Sequence, residues 1–136
     1  MNKRTLTIVI IVAIIILGSI MYTDFNSNDL KILEKTFVVY AIYYENDGYA
    51  EISFLDKSNK TKHVTLEILG MPESFHKEFS SATFVEKIQF VSIPKYGWQS
   101  MPITFLVEHE KLGKIRIKTE VRSVGDVPAP MIFSYN

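Results

Sequence analysis

The chain has 136 residues, 15 Lys plus Arg against 15 Asp plus Glu, and no cysteine. Neutral balance without a basic stripe excludes a nucleic-acid partner held by phosphate contacts. The missing thiols exclude disulfides, thiol catalysis, iron–sulfur clusters and the cysteine ligand of blue-copper sites.

From Leu6 to Tyr22 the sequence is LTIVIIVAIIILGSIMY, with Thr7 and Ser19 its only polar members. As a helix it spans roughly 25 Å, at the short end of what crosses a bilayer core. Lys3 and Arg4 precede it, whereas Lys31 and Lys35 come only after Asp24 and Asp29. The positive-inside rule then predicts a cytoplasmic N-terminus (1–5), an anchor (6–22) in the lipid bilayer, and an extracytoplasmic remainder. Gly18 and Ser19 offer no small-x-small cleavage pattern, because Ile20 and Met21 are large. The run is therefore read as an uncleaved signal anchor, with a cleaved signal as the alternative.

Residues 23–35 read as a juxtamembrane linker, polar from Thr23 to Asp29. The remainder, 36–136, suffices for one domain. Without Lys3 and Arg4 the chain carries 13 basic and 15 acidic residues. Phe37 to Tyr44 is apolar on both faces, which predicts a central or sandwich-core strand. Asn46-Asp47-Gly48 predicts a hairpin turn. In Tyr49 to Leu55, Ala50, Ile52 and Phe54 form one face. After the DKSNK turn, His63 to Leu69 points Val64, Leu66 and Ile68 inward.

Pro72-Glu73 resembles a first helical turn, and Phe75 and Phe79 stand four apart, so a short helix is expected there. Phe84 to Ile93 reads as a strand ending before Pro94. Lys95-Tyr96-Gly97-Trp98 is an aromatic turn. Ile103 to His109 and Lys114 to Val121 form a hairpin around Lys111-Leu112-Gly113. Pro128 and Pro130 interrupt pairing, and Met131 to Tyr135 is a last short strand. Six or seven short strands, with at most one short helix, predict an immunoglobulin-like antiparallel β-sandwich.

Candidate chemistry is sparse. His63, His76 and His109 form no HxH or HxxxH pair, so no local metal chelate is encoded. Glu73-x-x-His76 lacks the second motif and facing carboxylates of a di-iron bundle. No GxSxG, SxxK or Gly-rich phosphate loop is present. No catalytic residue, cofactor or metal ligand is assigned, and an enzyme is not expected. Asn59-Lys60-Thr61 is an N-glycosylation sequon in a turn. Possible partner contacts are Tyr96 and Trp98 in the aromatic turn, and Met131, Phe133 and Tyr135 in the last strand. A buried Trp98 would instead plug one end of the sandwich.

One apolar helix followed by a β-domain resembles, in layout, membrane-tethered copper-delivery and oxidase-assembly proteins, and also pilins and archaeal stator subunits. Arg4 followed by Thr5 departs from the pilin processing pattern, and no family residue carries over. The expected function is a membrane-anchored binding or structural module, an accessory subunit or assembly factor of an envelope complex. A surface-filament or envelope-layer component is the first alternative, and a metal-handling protein using the histidines with Met71 or Met101 the second.

Overall fold

The computed structural model describes residues 27–71 and 73–136. The proposed anchor, 6–22, lies outside them, as does Pro72. Among the described residues no helix is long and apolar enough to cross a membrane.

The described residues begin with helix α1 (Ser27–Thr36). Half of the expected linker is therefore helical: Leu33 is buried in the core, and Thr36 closes the last turn by donating its hydroxyl to the Ile32 carbonyl. Strands β1 (Phe37–Tyr44), β2 (Tyr49–Asp56), β3 (Thr61–Ile68), β4 (Phe75–Phe79) and β5 (Thr83–Gln89) follow. A single 3-10 turn (Trp98–Ser100) precedes β6 (Ile103–His109), β7 (Gly113–Thr119), β8 (Arg122–Ser123) and β9 (Ile132–Tyr135). The strands make two sheets, ordered β5-β2-β1-β8 and β4-β3-β6-β7-β9, packed as a β-sandwich. All pairs are antiparallel except β1 with β8.

The period-two segments occupy the expected places. Ala50, Ile52 and Phe54 of β2, and Val64, Leu66 and Ile68 of β3, are buried. The β2 residues face the β3 ones, together with Ile103, Phe105 and Val107 of β6 and Ile115 and Ile117 of β7 from the same five-stranded sheet, across the interior. Phe54 and Phe105, one from each sheet, lie with ring centroids 5.7 Å apart. At the β1–β2 turn, the positive φ of Gly48 lets its amide and that of Asp47 both reach the Tyr44 carbonyl.

Among the described residues nine strands form where six or seven were expected, the additional ones being β4 and β8. The expected helix around Phe75 and Phe79 is strand β4 instead. A spacing of four puts two side chains on one face of a helix and equally on one face of a strand. Here the β3 edge decides, since it offers a ladder that pairs Val64 to Ile68 with Phe79 to Phe75.

The sandwich has two ends. Turns β2–β3, β4–β5 and β6–β7 gather beside α1, tied by Lys57 N–H to the Thr36 carbonyl, Asp56 N–H to that of Ala82, and Glu110 N–H to that of Lys60. The remaining loops gather at the far end.

Candidate functional site

Open strand edges on either lateral side are the main exposed backbone of such a fold. On one side β4 and β5 are the edges, joined by a tight corner at Ser80–Ala82. The Phe79 and Phe84 rings stack between the sheets with centroids 3.7 Å apart, and Phe84 stacks in turn on Phe54. Lys77 of β4 grips both carboxylate oxygens of Glu86 of β5 at 3.0 Å. Both edges carry charges, with His76, Lys77 and Glu78 on β4 and Glu86 and Lys87 on β5. Such charges repel an added strand.

The other side is built differently. After β7 the chain leaves the five-stranded sheet through Glu120 and Val121 and joins the four-stranded one as β8. There Arg122 and Ser123 pair in parallel with Ile42 and Tyr43 only. Val124 donates its amide to the Tyr43 carbonyl, so the backbone groups of Tyr43 point outward from β1. By strand alternation those of Val39 and Ala41 point outward as well. Among the described residues no strand pairs with Phe37 to Ala41 on that side.

A cleft of about 130 Å³ lies along this free edge. Val39 to Ile42 line it on one side, and Thr119, Glu120, Arg122 and Ala129 are among the residues opposite. Arg122 pairs through Nη2 with Glu120 at 3.5 Å, yet its buried Nε–H has no acceptor. The exposed Val124 and Val127 flank the loop that leads to β9.

The residues expected as partner contacts fall in two places. Tyr96 is 72 % exposed at the far end, whereas Trp98 is only 8 % exposed. The indole packs on Tyr43 at 5.0 Å and edge-on to Phe90 at 5.2 Å, so it fills the end of the core and is not an exposed contact. Gln99 Nε2 donates to the Tyr96 carbonyl and Ser100 Oγ to that of Gly97, which fixes the turn that displays Tyr96. Met131 packs partly against the core, Phe133 is buried, and Tyr135 is half exposed. Here β9 pairs with β7 of its own sheet, on the same lateral side as the free β1 edge. Asn59 is exposed at the β2–β3 turn with φ of 55°.

Sequence reasoning missed one cluster, beside α1. Asp56 is buried and accepts five hydrogen bonds: from the amide and hydroxyl of Ser58, the amide of Lys60, and the amide and hydroxyl of Thr61. Buried His109 lies against it, with Nε2 3.4 Å from Asp56 Oδ2 and 2.9 Å from Ser58 Oγ. The ring's Nδ1 accepts the amides of Lys111 and Leu112, both at 3.1 Å, which places the ring proton on Nε2. Burial raises the Asp56 carboxyl, but the hydrogen bonds from Ser58, Thr61 and Lys60 outweigh it and hold the group at about 2. Burial lowers the imidazole below 6.5, more than the Asp56 charge raises it.

Ser, His and Asp in contact invite comparison with a hydrolytic triad, but the roles do not match. The Ser58 hydroxyl gives its proton to Asp56 at 2.6 Å, and His109 has no free lone pair to receive it. The cluster is a latch between the β2–β3 and β6–β7 turns. The Asp-x-Ser turn pattern, with a polar His on an inward strand position, is the signal from which it could have been found.

His63 and His76 lie on the outer face of β3 and β4 in a chain of pairs, with Glu78 3.8 Å from each and Glu67 3.2 Å from His76. The carboxylate of Glu78 lies between the two rings, with Oε2 facing His63 and Oε1 facing His76. Among the described residues no group of three or more His, Asp or Glu side chains is placed to hold a metal.

No protein-family model, curated protein or solved structure matches this chain.

Proposed function

We propose that this chain is a single-pass membrane protein whose extracytoplasmic domain, an immunoglobulin-like sandwich, binds a protein partner as an accessory subunit or assembly factor of an envelope complex. Residues 6–22 are its uncleaved anchor, and Lys3 and Arg4 keep the N-terminus in the cytoplasm. The observation that carries the binding role is the free, uncharged edge of β1 beside a cleft, in a sandwich whose β4 and β5 edges are charged. A long apolar edge left open is an aggregation hazard, so a covering partner accounts for it.

The test is purification of the full chain from native membranes in mild detergent, with mass spectrometry of what accompanies it. One stoichiometric envelope or membrane protein is the expected result. A chain that purifies alone as a monomer overturns the binding role. The same uncharged edge suits a filament component, in which case the companion is another copy of the chain. Protease treatment of sealed cells tests topology separately: cleavage within 36–136, with the N-terminus protected, is expected.

A further inference from the structure

We propose that the Phe37–Ala41 edge of β1 takes an extended segment of a protein partner as an added strand, in line with β8. This rests on the binding role above and specifies its chemistry. The four-stranded sheet ends at β1 over this stretch, because β8 covers only Ile42 and Tyr43. Val39 and Ala41, 5 % and 6 % exposed with their side chains in the core, direct an N–H and a C=O toward the floor of the cleft, two residues or about 6.6 Å apart. Alternating donors and acceptors at that spacing are the complement of an extended polypeptide backbone, not of a lipid, a glycan or a nucleic acid.

The composition of the edges singles out this one. The stretch FVVYA contains no charge and no proline. By contrast β4 and β5 carry lysines and glutamates, β8 has two residues, and β9 has four and follows Pro130. Charge, brevity and nearby proline are the devices that keep edges from pairing, and β1 has none of them.

The occupant's length and character follow from the walls. Phe37 to Ala41 spans about 13 Å, enough for a segment of four or five residues. Side chains that alternate into the cleft meet Val39, Ala41, Thr119 and Ala129, a floor of small or apolar groups that admits small apolar residues. Tyr40, 47 % exposed, flanks the segment on the solvent side. The edge itself carries no charge, while Glu120, Arg122 and Asp126 line the rest of the cleft.

The experiment uses the full chain and the complex that copurifies with it in mild detergent. Residue-resolved hydrogen exchange is measured on both, and benzoylphenylalanine in place of Tyr40 or Tyr96 supplies photo-crosslinks. The expected result is that the Val39 and Ala41 amides exchange about tenfold or more slowly in the complex. Crosslinks from position 40, not from 96, then map to one short segment of the partner. Ala129→Trp, which fills the cleft, lowers the recovered partner about tenfold.

A partner that copurifies while Val39 and Ala41 exchange as freely as in the lone chain overturns strand addition and leaves the binding role standing. Crosslinks that join two copies of this chain overturn the assignment to a different protein. A chain without any companion overturns both. If Ala129→Trp fails to fold, the exchange of the unaltered protein still decides.

Discussion

The two lateral sides of the sandwich solve the same problem in opposite ways. Where β4 and β5 end the sheets, aromatic rings stack through the gap, Lys77 bridges to Glu86, and charges line both edges. Where β1 ends the sheet opposite, two residues of β8 cover its last part and the rest stays open beside a cleft. The first side is finished within the chain. Among the described residues the second stays unpaired over Phe37 to Ala41, the stretch where the proposed partner backbone would join, so the difference sets a self-finished side against the proposed binding side within one small fold.

Truncating a ring on the closed side gives the largest expected effect. Phe84→Ala removes the stack against Phe79, Phe54 and Phe105 and leaves a void between the sheets. A loss of about 3 kcal/mol is expected in urea unfolding, with partner binding kept by the molecules that remain folded. A near-neutral result would mean that the closed side does not hold the sheets together.

Acid should act next, through the latch beside α1 and not through either side. Asp56 sits at about 2 when folded against 3.8 when free, so its contribution, about 2 kcal/mol, is complete above 3.8 and is lost as pH falls from there toward 2. His109, held below 6.5 when folded, binds its proton more readily when unfolded, so stability also declines as pH drops below 6.5. Protonation would set a ring N–H against the amides of Lys111 and Leu112, with Lys60 adding its repulsion and Asp56 and Glu110 their attraction. Unfolding midpoints measured across this range should fall in two steps. In His109→Asn the upper step should vanish, and its persistence would exclude the latch as its source.

Giving the open side the guard of the closed one sharpens the comparison. Tyr40→Lys adds a charge over the free edge, where the side chain is exposed, and should change stability by less than about 1 kcal/mol. Partner recovery should nevertheless drop clearly, and the lone chain should aggregate less. Removing a guard gives the smallest effect. Lys77→Ala breaks a largely exposed ion pair and is expected to lower stability by about 0.5 kcal/mol or less, read from the same unfolding curves.

Alternation made β2, β3, β6 and β7 legible, because each buries one face and the two periods differ over such lengths. Phe37 to Tyr44, apolar on both faces, implied a strand flanked on both sides, and half of that held: β2 pairs its whole length, β8 only its end. Residues 27–36 gave no helical signal because a single side chain, Leu33, is buried in α1. Phe75 and Phe79 misled because their spacing fits both periods. The latch joins Asp56 to His109 across the sequence, and only the sheet order brings the β2–β3 and β6–β7 turns together. The free edge is equally invisible beforehand, since an unpaired strand is defined by which other strands fail to reach it.

The direct passage from α1 into β1 has a mechanical consequence. The strand that carries the free edge is also the first strand of the domain, and it is joined to β2 by eight successive residue pairs. Tension applied between the N-terminal segment and a backbone laid along β1 therefore runs parallel to that strand. It loads both ladders in shear, so their hydrogen bonds resist together and do not peel apart in sequence. Force spectroscopy on the complex should register one high rupture force with no stepwise extension beforehand. Under the proposed anchoring and strand addition, the fold would be a coupling whose grip and tether share a single strand.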